Sequence, residues 1–435
     1  MLALLGLLAL TSSDATAYHL ADLVELAHKQ SNTTEENRLM IEKSRTQTQY
    51  AHNNLGPSAS LNSHYNHQRN IDNNTNLDPF TINMTLSQSI YNPSLNQHIT
   101  LAELKEQQEQ LTAQHKQASS DLAIIQNYLS LCLYHQLITL QNHEKTRLNT
   151  LQKQASLSSQ VGMTPQHESK LAEARLLEIK NNILESHHQI SKIRAETEFQ
   201  TNEAIDTIYE LTEQLPTLSH DPIQTTQEII EYALANNIEQ KVHSVLIEQA
   251  KENFLIEQSQ YAPTLAATGQ IDKQIGHNNQ SRSATTATFQ IEGSLPLYTH
   301  GRKEMALEEK GNAIKQLELA AINSQAQLTK DIKITHNRLQ TINSQMNTNQ
   351  HIIAARQATY ESYLASYDHG FTSLPDLLQE QQALFQIQYK SIEDVYDYLY
   401  QSALLSMLMG KLDRETVQQI DSHLTQAVNL DDLMI

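Results

Sequence analysis

The stretch FTINMTLS (80–87) alternates apolar and polar side chains at every step. Successive side chains of a β-strand point to opposite faces, so this pattern predicts a strand with one apolar and one polar face. The alternation returns further along, where Ala287, Phe289 and Ile291 are interleaved with Thr286, Thr288, Gln290 and Glu292. Weaker versions precede each: Leu61 and Tyr65 before the first, and Ala267, Gly269 and Ile271 before the second. Polar loops at 70–76 and 277–283 join the members of each pair. Two β-hairpins follow, at 57–91 and 263–298. An apolar-out, polar-in pattern suits a transmembrane β-barrel, whose signal per strand is weak, and it suits a small soluble β-domain as well.

Outward from the hairpins the chain changes character. It holds only ten Gly and nine Pro. None falls within 94–161, 166–215 or 376–409, and 302–369 contains only Gly311. These stretches are rich in Gln, Glu, Leu, Ala, Lys and Ile, good helix formers free of breakers, so each is expected to be one continuous helix. At a rise of 1.5 Å per residue the two longest would each extend about 100 Å. Leu378, Phe385, Ile392 and Leu399 recur every seven residues, a repeat that makes helices supercoil about their neighbours. Gln381, Gln388 and Ser402 leave that seam thin, as a wide water-facing helical barrel would tolerate. Periodicity alone also fits an ordinary long coiled coil.

The remaining composition narrows the function classes. The 435-residue chain is 39% hydrophobic with a net charge of −19. So acidic a chain repels phosphate backbones, which argues against nucleic acid as a partner. Its single cysteine, Cys132, leaves no internal disulfide and lies in an apolar series, as a buried small hydrophobe would. The twenty His are scattered without carboxylates at ligand spacing, so no metal site and no cofactor is expected. No nucleophile elbow, phosphate loop or paired-carboxylate motif is present, which points away from an enzyme. Residues 2–10 are almost all Leu or Ala and lead to Ala15-Thr16-Ala17. This predicts a secretory leader over 1–17, cut after Ala17, although no Lys or Arg precedes the apolar core. No later apolar run is long enough for a membrane helix, so a membrane location would require a barrel.

The two halves echo each other. Glu25 is matched by Glu231, Ile41 by Ile247, Pro57 by Pro263, Ile90-Tyr91 by Leu297-Tyr298 and Gly162 by Gly370, at offsets of 206 to 208 residues. Each half reads helix, hairpin, very long helix, Gly turn, helix. Four strands cannot close a barrel of useful bore, since small membrane barrels need about eight, so the chain should oligomerise. Three copies would supply twelve strands. The expected fold is mainly α with a small β part; as the resemblance given next implies, the duplicated long-helix hairpins form an α-barrel tunnel and each protomer gives four strands of a trimeric twelve-stranded barrel.

These residues resemble the TolC-like outer-membrane efflux proteins, over about 20–412. The markers are the leader, the duplicated halves, Pro57 and Pro263 at the helix-to-strand crossings, and the strand exits LSQSIYNPS (86–94) and GSLPLYTHGR (293–302). To these are added YDHGFTSLPDLLQEQQALF (367–385), Tyr398-Leu399 and the stretch Leu408 to Leu412. The resemblance implies a homotrimeric conduit in the outer membrane, in contact with its lipid and extending into the periplasm. A periplasmic adaptor and an inner-membrane pump would open it, for efflux or type I secretion. The implied layout has first-repeat helices at 18–56 and 92–212 and second-repeat helices at 227–262 and 299–412. An equatorial belt would be built from 213–226 and 413–435.

The tip turns are expected at Gly162–Pro165 and Gly370–Pro375. Thr164-Pro165 reads as an N-cap followed by proline at the first helical position. Ser373 with Asp376 three residues on resembles a capping box. Asp376 is then a first-turn acid favoured by the helix dipole, and the resemblance also places it in an acidic ring at the pore constriction. Gln379 and Glu380 share that constriction, Gln379 standing where relatives often carry a second acid. Thr372 replaces a basic residue common near the turn. Glu168 and Tyr367 match positions that form a hydrogen-bonded gate lock, or else are unrelated surface residues. The competing reading of the whole chain is a periplasmic coiled-coil adaptor or scaffold without a barrel.

Overall fold

The computed structural model describes residues 17–70, 75–77, 80–162, 165–212, 225–275 and 283–431. The expected leader up to residue 16, Thr164, most of the 213–226 linker and the centres of both hairpin loops lie outside the described residues. In chain order the elements begin with β1 (Ala17–Tyr18), α1 (Leu20–Gln30) and α2 (Asn32–Asn53). Then come β2 (Ser58–Tyr65), β3 (Gln68–Asn70), β4 (Thr75–Leu77), β5 (Phe80–Tyr91), α3 (Pro93–Gln160), α4 (Gln166–Thr201) and β6 (Thr207–Leu211). The second half follows with α5 (Thr226–Asn236), α6 (Ile238–Ser259), β7 (Thr264–Ile275), β8 (Ala284–Ser294), α7 (Arg302–Asp368) and α8 (Leu374–Leu408). The chain closes on α9 (Arg414–Asp421) and β9 (Leu424–Asn429). The expected leader boundary after Ala17 falls inside β1.

The chain divides into two compact units. The first comprises residues up to Glu35, His115–Asn237 and Ala326 onward, and the second Glu36–Gln114 and Ile238–Gln325.

In the second unit β2, β5, β7 and β8 form one antiparallel sheet in that spatial order. Its register carries out the alternation read from sequence. Leu61, Met84, Ile271 and Ala287 lie side by side across the four strands, as do Ala59, Leu86, Gly269 and Phe289. The adjacent rows hold Asn62, Asn83, Asp272 and Thr286, and then Ser60, Thr85, Gln270 and Thr288. Side chains one residue apart face opposite ways, so one face is apolar and the other polar. β3 and β4 extend the first hairpin beyond this sheet, which narrows the loop expected at 70–76. Strand β8 ends at Ser294, short of the expected 298.

In the first unit a larger core joins α1, α3, α4, α8 and α9 around a small sheet of order β1-β6-β9. Fully buried members include Leu20, Leu23, Ile125, Tyr128, Ile190 and Ile208. Each buried side chain of this size contributes about 1.5–3 kcal/mol relative to exposure. Burial pushes the Tyr128 hydroxyl well above the usual phenol range. It accepts from the Tyr209 N–H at 2.8 Å and lies 3.0 Å from the Tyr18 carbonyl. Cys132 is fully buried in this core, 3.4 Å from the Tyr209 carbonyl, and desolvation pushes its thiol up as well.

Two sequence expectations are corrected here. The breaker-free run 166–215 is not one helix. Helix α4 ends at Thr201, Asn202 takes a left-handed φ of 57° and donates its N–H to the Glu198 carbonyl, and β6 follows. Short polar Asn tolerates that conformation and stops the helix without Gly or Pro. The seam of α8 is also displaced. The deepest row is Leu377, Leu384, Ser391 and Tyr398, one residue before the row read from sequence, and Gln381 is buried rather than bordering it.

Candidate functional site

The tip of the first unit is built where α3 turns into α4 and α7 into α8. Gly370 holds φ +77°. Its N–H donates to the Tyr367 carbonyl at 2.9 Å, and the Phe371 N–H donates to Ser366 at 2.8 Å. These two bonds close α7 with a Schellman motif, which needs a left-handed residue and so favours Gly. Gly162 takes the same conformation after α3, with φ +76°. Pro165 is the N-cap of α4 rather than its first helical residue, one position from the expectation, and caps without a side-chain bond. Ser373 caps α8: its Oγ accepts from the Asp376 N–H at 3.4 Å and donates to Asp376 Oδ2 at 2.5 Å. The reciprocal half of a capping box, a bond from the acid to the cap's own N–H, is replaced by that hydroxyl-to-carboxylate bond. Pro375 occupies the first turn.

Beneath the turns Leu148, Leu151, Ala172, Leu176, Tyr360, Leu374 and Leu377 pack into a second core. It fixes which way α8 faces. Leu374, Leu377, Leu378 and Gln381 point in, leaving Asp376 and Gln379 exposed one turn apart on the free side. Glu380 lies elsewhere: its carboxylate meets Arg356 of α7 at 2.8 Å, so it ties α8 to α7 instead of joining Asp376 and Gln379. Tyr367 is partly buried, and burial, reinforced by Glu168 and Asp368, pushes its hydroxyl up. Glu168 stands in the first turn of α4 with no hydrogen bond to Tyr367. Thr372 is partly buried in the turn between α7 and α8.

Charged and polar groups missed from sequence lie in this core. Glu144 of α3 is buried beside Gln381, and its carboxyl is pushed up by burial against the pull of Gln381 and Arg147. Arg147 also stacks over the Tyr360 ring at 5.9 Å. Higher in the same unit Asp394, fully buried, accepts from Asn349 at 3.0 Å and pairs with Lys390 at 3.0 Å. Buried His135 of α3 meets Glu210 of β6 at 2.8 Å. Arg194 of α4 clamps the small sheet, bonding Asp206 before β6 and Asp431 after β9.

The sheet of the second unit supplies the other candidate surface. Its polar face carries a connected network: Asn83 Nδ2 donates to Asp272 Oδ1 at 2.6 Å, Gln270 donates to both Asp272 oxygens at 2.8 Å, and Thr85 donates to Asn83 at 2.7 Å. Its apolar face is exposed, with Leu61 at 71% and Phe289 at 75%. Neither β2 nor β8 has a second partner strand among the described residues. Among them, too, no helix is long and apolar enough to cross a membrane.

Residues 229–411 match the family model of the outer membrane efflux proteins. That stretch is similar to the family, and it spans less than half of the chain. Solved structures carry the same fold across nearly the whole chain. The outer membrane channel CmeC of Campylobacter jejuni is 14% identical with a TM-score of 0.77, covering 93% of this chain and 89% of its own. The outer membrane protein VceC of Vibrio cholerae is 13% identical with a TM-score of 0.74, covering 91% and 97%. The open-state outer membrane channel MtrE of Neisseria gonorrhoeae is 14% identical with a TM-score of 0.74, covering 92% and 90%. No curated protein matches the chain by sequence. The fold of the chain is thus shared with these solved outer-membrane proteins.

Proposed function

We propose that three copies of this chain close one twelve-stranded outer-membrane barrel continued by an α-helical tunnel, a passive conduit opened by a periplasmic adaptor and an inner-membrane pump. The observation that carries this reading is the four-stranded sheet with two unpaired edges, β2 and β8, one exposed apolar face and one hydrogen-bonded polar face. Unpaired strand edges are a liability that closure removes, and backbone polar groups in lipid must all be paired. Strand β8 of one protomer joining β2 of the next, three times, leaves no edge, turns the apolar face to lipid and lines the bore with Asn83, Gln270 and Asp272.

In the same reading residues 1–17 are the leader, 57–91 and 263–298 are the barrel hairpins, and the Gly162 and Gly370 turns form the periplasmic tip. Asp376 and Gln379 line its constriction, three copies of each. The energy belongs to the pump, and the cargo, whether small molecules or secreted proteins, is selected there. The test is the state of the full-length protein in the cell envelope. A heat-modifiable trimer that resists carbonate extraction in the outer-membrane fraction is expected, with cysteines placed on β8 and β2 cross-linking between protomers. A soluble or inner-membrane protein would refute the reading.

A further inference from the structure

Lys273 is the one Lys or Arg in β2, β5, β7 and β8, and it sits on the wrong face for a charge. Its directly opposed neighbours are Ile82 on β5 and Thr285 on β8, and Ile271 and Ile275 flank it along its own strand. The bonds that draw Gln270, Asp272 and Asn83 together fix the polar face one residue away on either side, so Lys273 belongs to the apolar face, and it is exposed. The carboxylates of the four strands are Asp272 and Glu292, which both lie on the polar face. Among the described residues of the four strands, no carboxylate therefore shares its side of the sheet. An exposed ammonium on a lipid-facing surface is costly at mid-depth and tolerated near an interface, and it marks a functional position.

Depth is readable from the register. The next row outward on the same face is Tyr65, Phe80 and Ile275, the last row of the four-stranded sheet before β3 and β4 continue the first hairpin. With strands tilted about 45°, one row is on the order of 5 Å along the membrane normal. An aromatic row at a barrel end marks the interface, so Lys273 lies within side-chain reach of the headgroups. Helices α2 and α6 feed β2 and β7 from the opposite end, which puts Lys273 at the end remote from the periplasm. There the leaflet of a Gram-negative outer membrane is built of phosphorylated glycolipid. Hydroxyls share the row: Thr285 directly opposite Lys273, and Ser63 paired with Ile82.

We propose that Lys273, with the Thr285 hydroxyl beside it, binds the phosphate of an outer-leaflet glycolipid, one site per protomer on the lipid face of the barrel. The ammonium supplies a strong point charge for phosphate, and the hydroxyl a second hydrogen bond. The site rests on the barrel reading above.

The test uses the intact trimer in detergent, with native mass spectrometry to count retained lipid. The probes are bisphosphorylated lipid A, its dephosphorylated form and phosphatidylglycerol. Wild type and Lys273→Arg should retain lipid A in preference to both other lipids. Lys273→Gln should lose about fivefold to tenfold in affinity while remaining a heat-modifiable trimer. Equal retention by wild type and Lys273→Gln would overturn the site. So would indifference of wild type to the phosphates, or equal competition by phosphatidylglycerol, which need no variant at all. Absence of a wild-type trimer would overturn the barrel itself, a failure distinct from these.

Discussion

Gly370 and Gly410 offer a matched pair for separating backbone strain from packing. Both end helices of the first unit in the left-handed region, with φ +77° and φ +71°. Gly410 repeats the Schellman closure, its N–H donating to Met407 at 2.9 Å and the Lys411 N–H to Ser406 at 2.8 Å. Their surroundings differ. A Cβ on Gly370 would meet nothing within 4 Å, whereas one on Gly410 would stand 2.7 Å from the Asn236 carbonyl oxygen and 3.1 Å from its carbon. These are backbone atoms in the α5–α6 joint, where Asn237 also bonds the Leu408 carbonyl at 2.9 Å and Lys411 lies 4.1 Å over the Tyr232 ring. An alanine in the left-handed region costs about 1–2 kcal/mol, less about 0.4–1 regained from a stiffer unfolded chain. Gly370→Ala should therefore lose about 0–1.6 kcal/mol. Gly410→Ala adds an overpacking cost of about 1–3 kcal/mol, because the clashing atoms cannot rotate away. Asparagine tolerates the left-handed region, so Gly370→Asn should be close to neutral and Gly410→Asn should stay damaging. Guanidinium titration of the helical circular dichroism of the detergent-solubilised protein ranks the four. Equal losses for the two alanine variants, or a rescue of position 410 by Asn, would refute the packing argument.

Other expectations concern charge. Asp376→Ala should weaken the block of single-channel current by multivalent cations, because in the proposed trimer three exposed carboxylates leave the constriction; unchanged block would remove Asp376 from the proposed pore lining. Glu144 has a folded-state pKa raised by burial. A raised acid favours folding below its unfolded pKa, and that advantage is lost as pH climbs through the folded value. Glu144→Gln should therefore raise the thermal midpoint at pH 8, with the gain shrinking toward pH 4. An equal shift at both ends would show that the carboxyl is not desolvated as described.

The hairpins were legible because a period of two survives in a single strand, and 80–87 states it without interruption. The long helices were legible because their limits coincide with Pro93, Gly162, Gly301 and Gly370. Strand β6 was not. Its five residues follow a helix with no Gly or Pro between, and its partners sit near residues 17 and 429, separations that no local pattern carries. An isolated Asn at 202 before a β-branched stretch was the available signal. The cap of α8 was legible from Ser373 and Asp376, which lie three apart. The Arg356–Glu380 pair was not, because the angle at which α8 leaves the Gly370 turn brings them together across 24 residues.

In the proposed trimer, the two sheet edges that lack a second partner strand among the described residues have a consequence for the cell that makes this protein. A ring closed by three identical seams has no stable partial form, so maturation is a collision process whose yield rises steeply with local subunit concentration. A subunit with a ruined β8 still presents an intact β2, and can enter a nascent ring that it then leaves open. With such subunits at parity and random mixing, only about one ring in eight would be free of them. One damaged copy of the gene, expressed beside a sound one, would act as a dominant poison rather than as a simple loss.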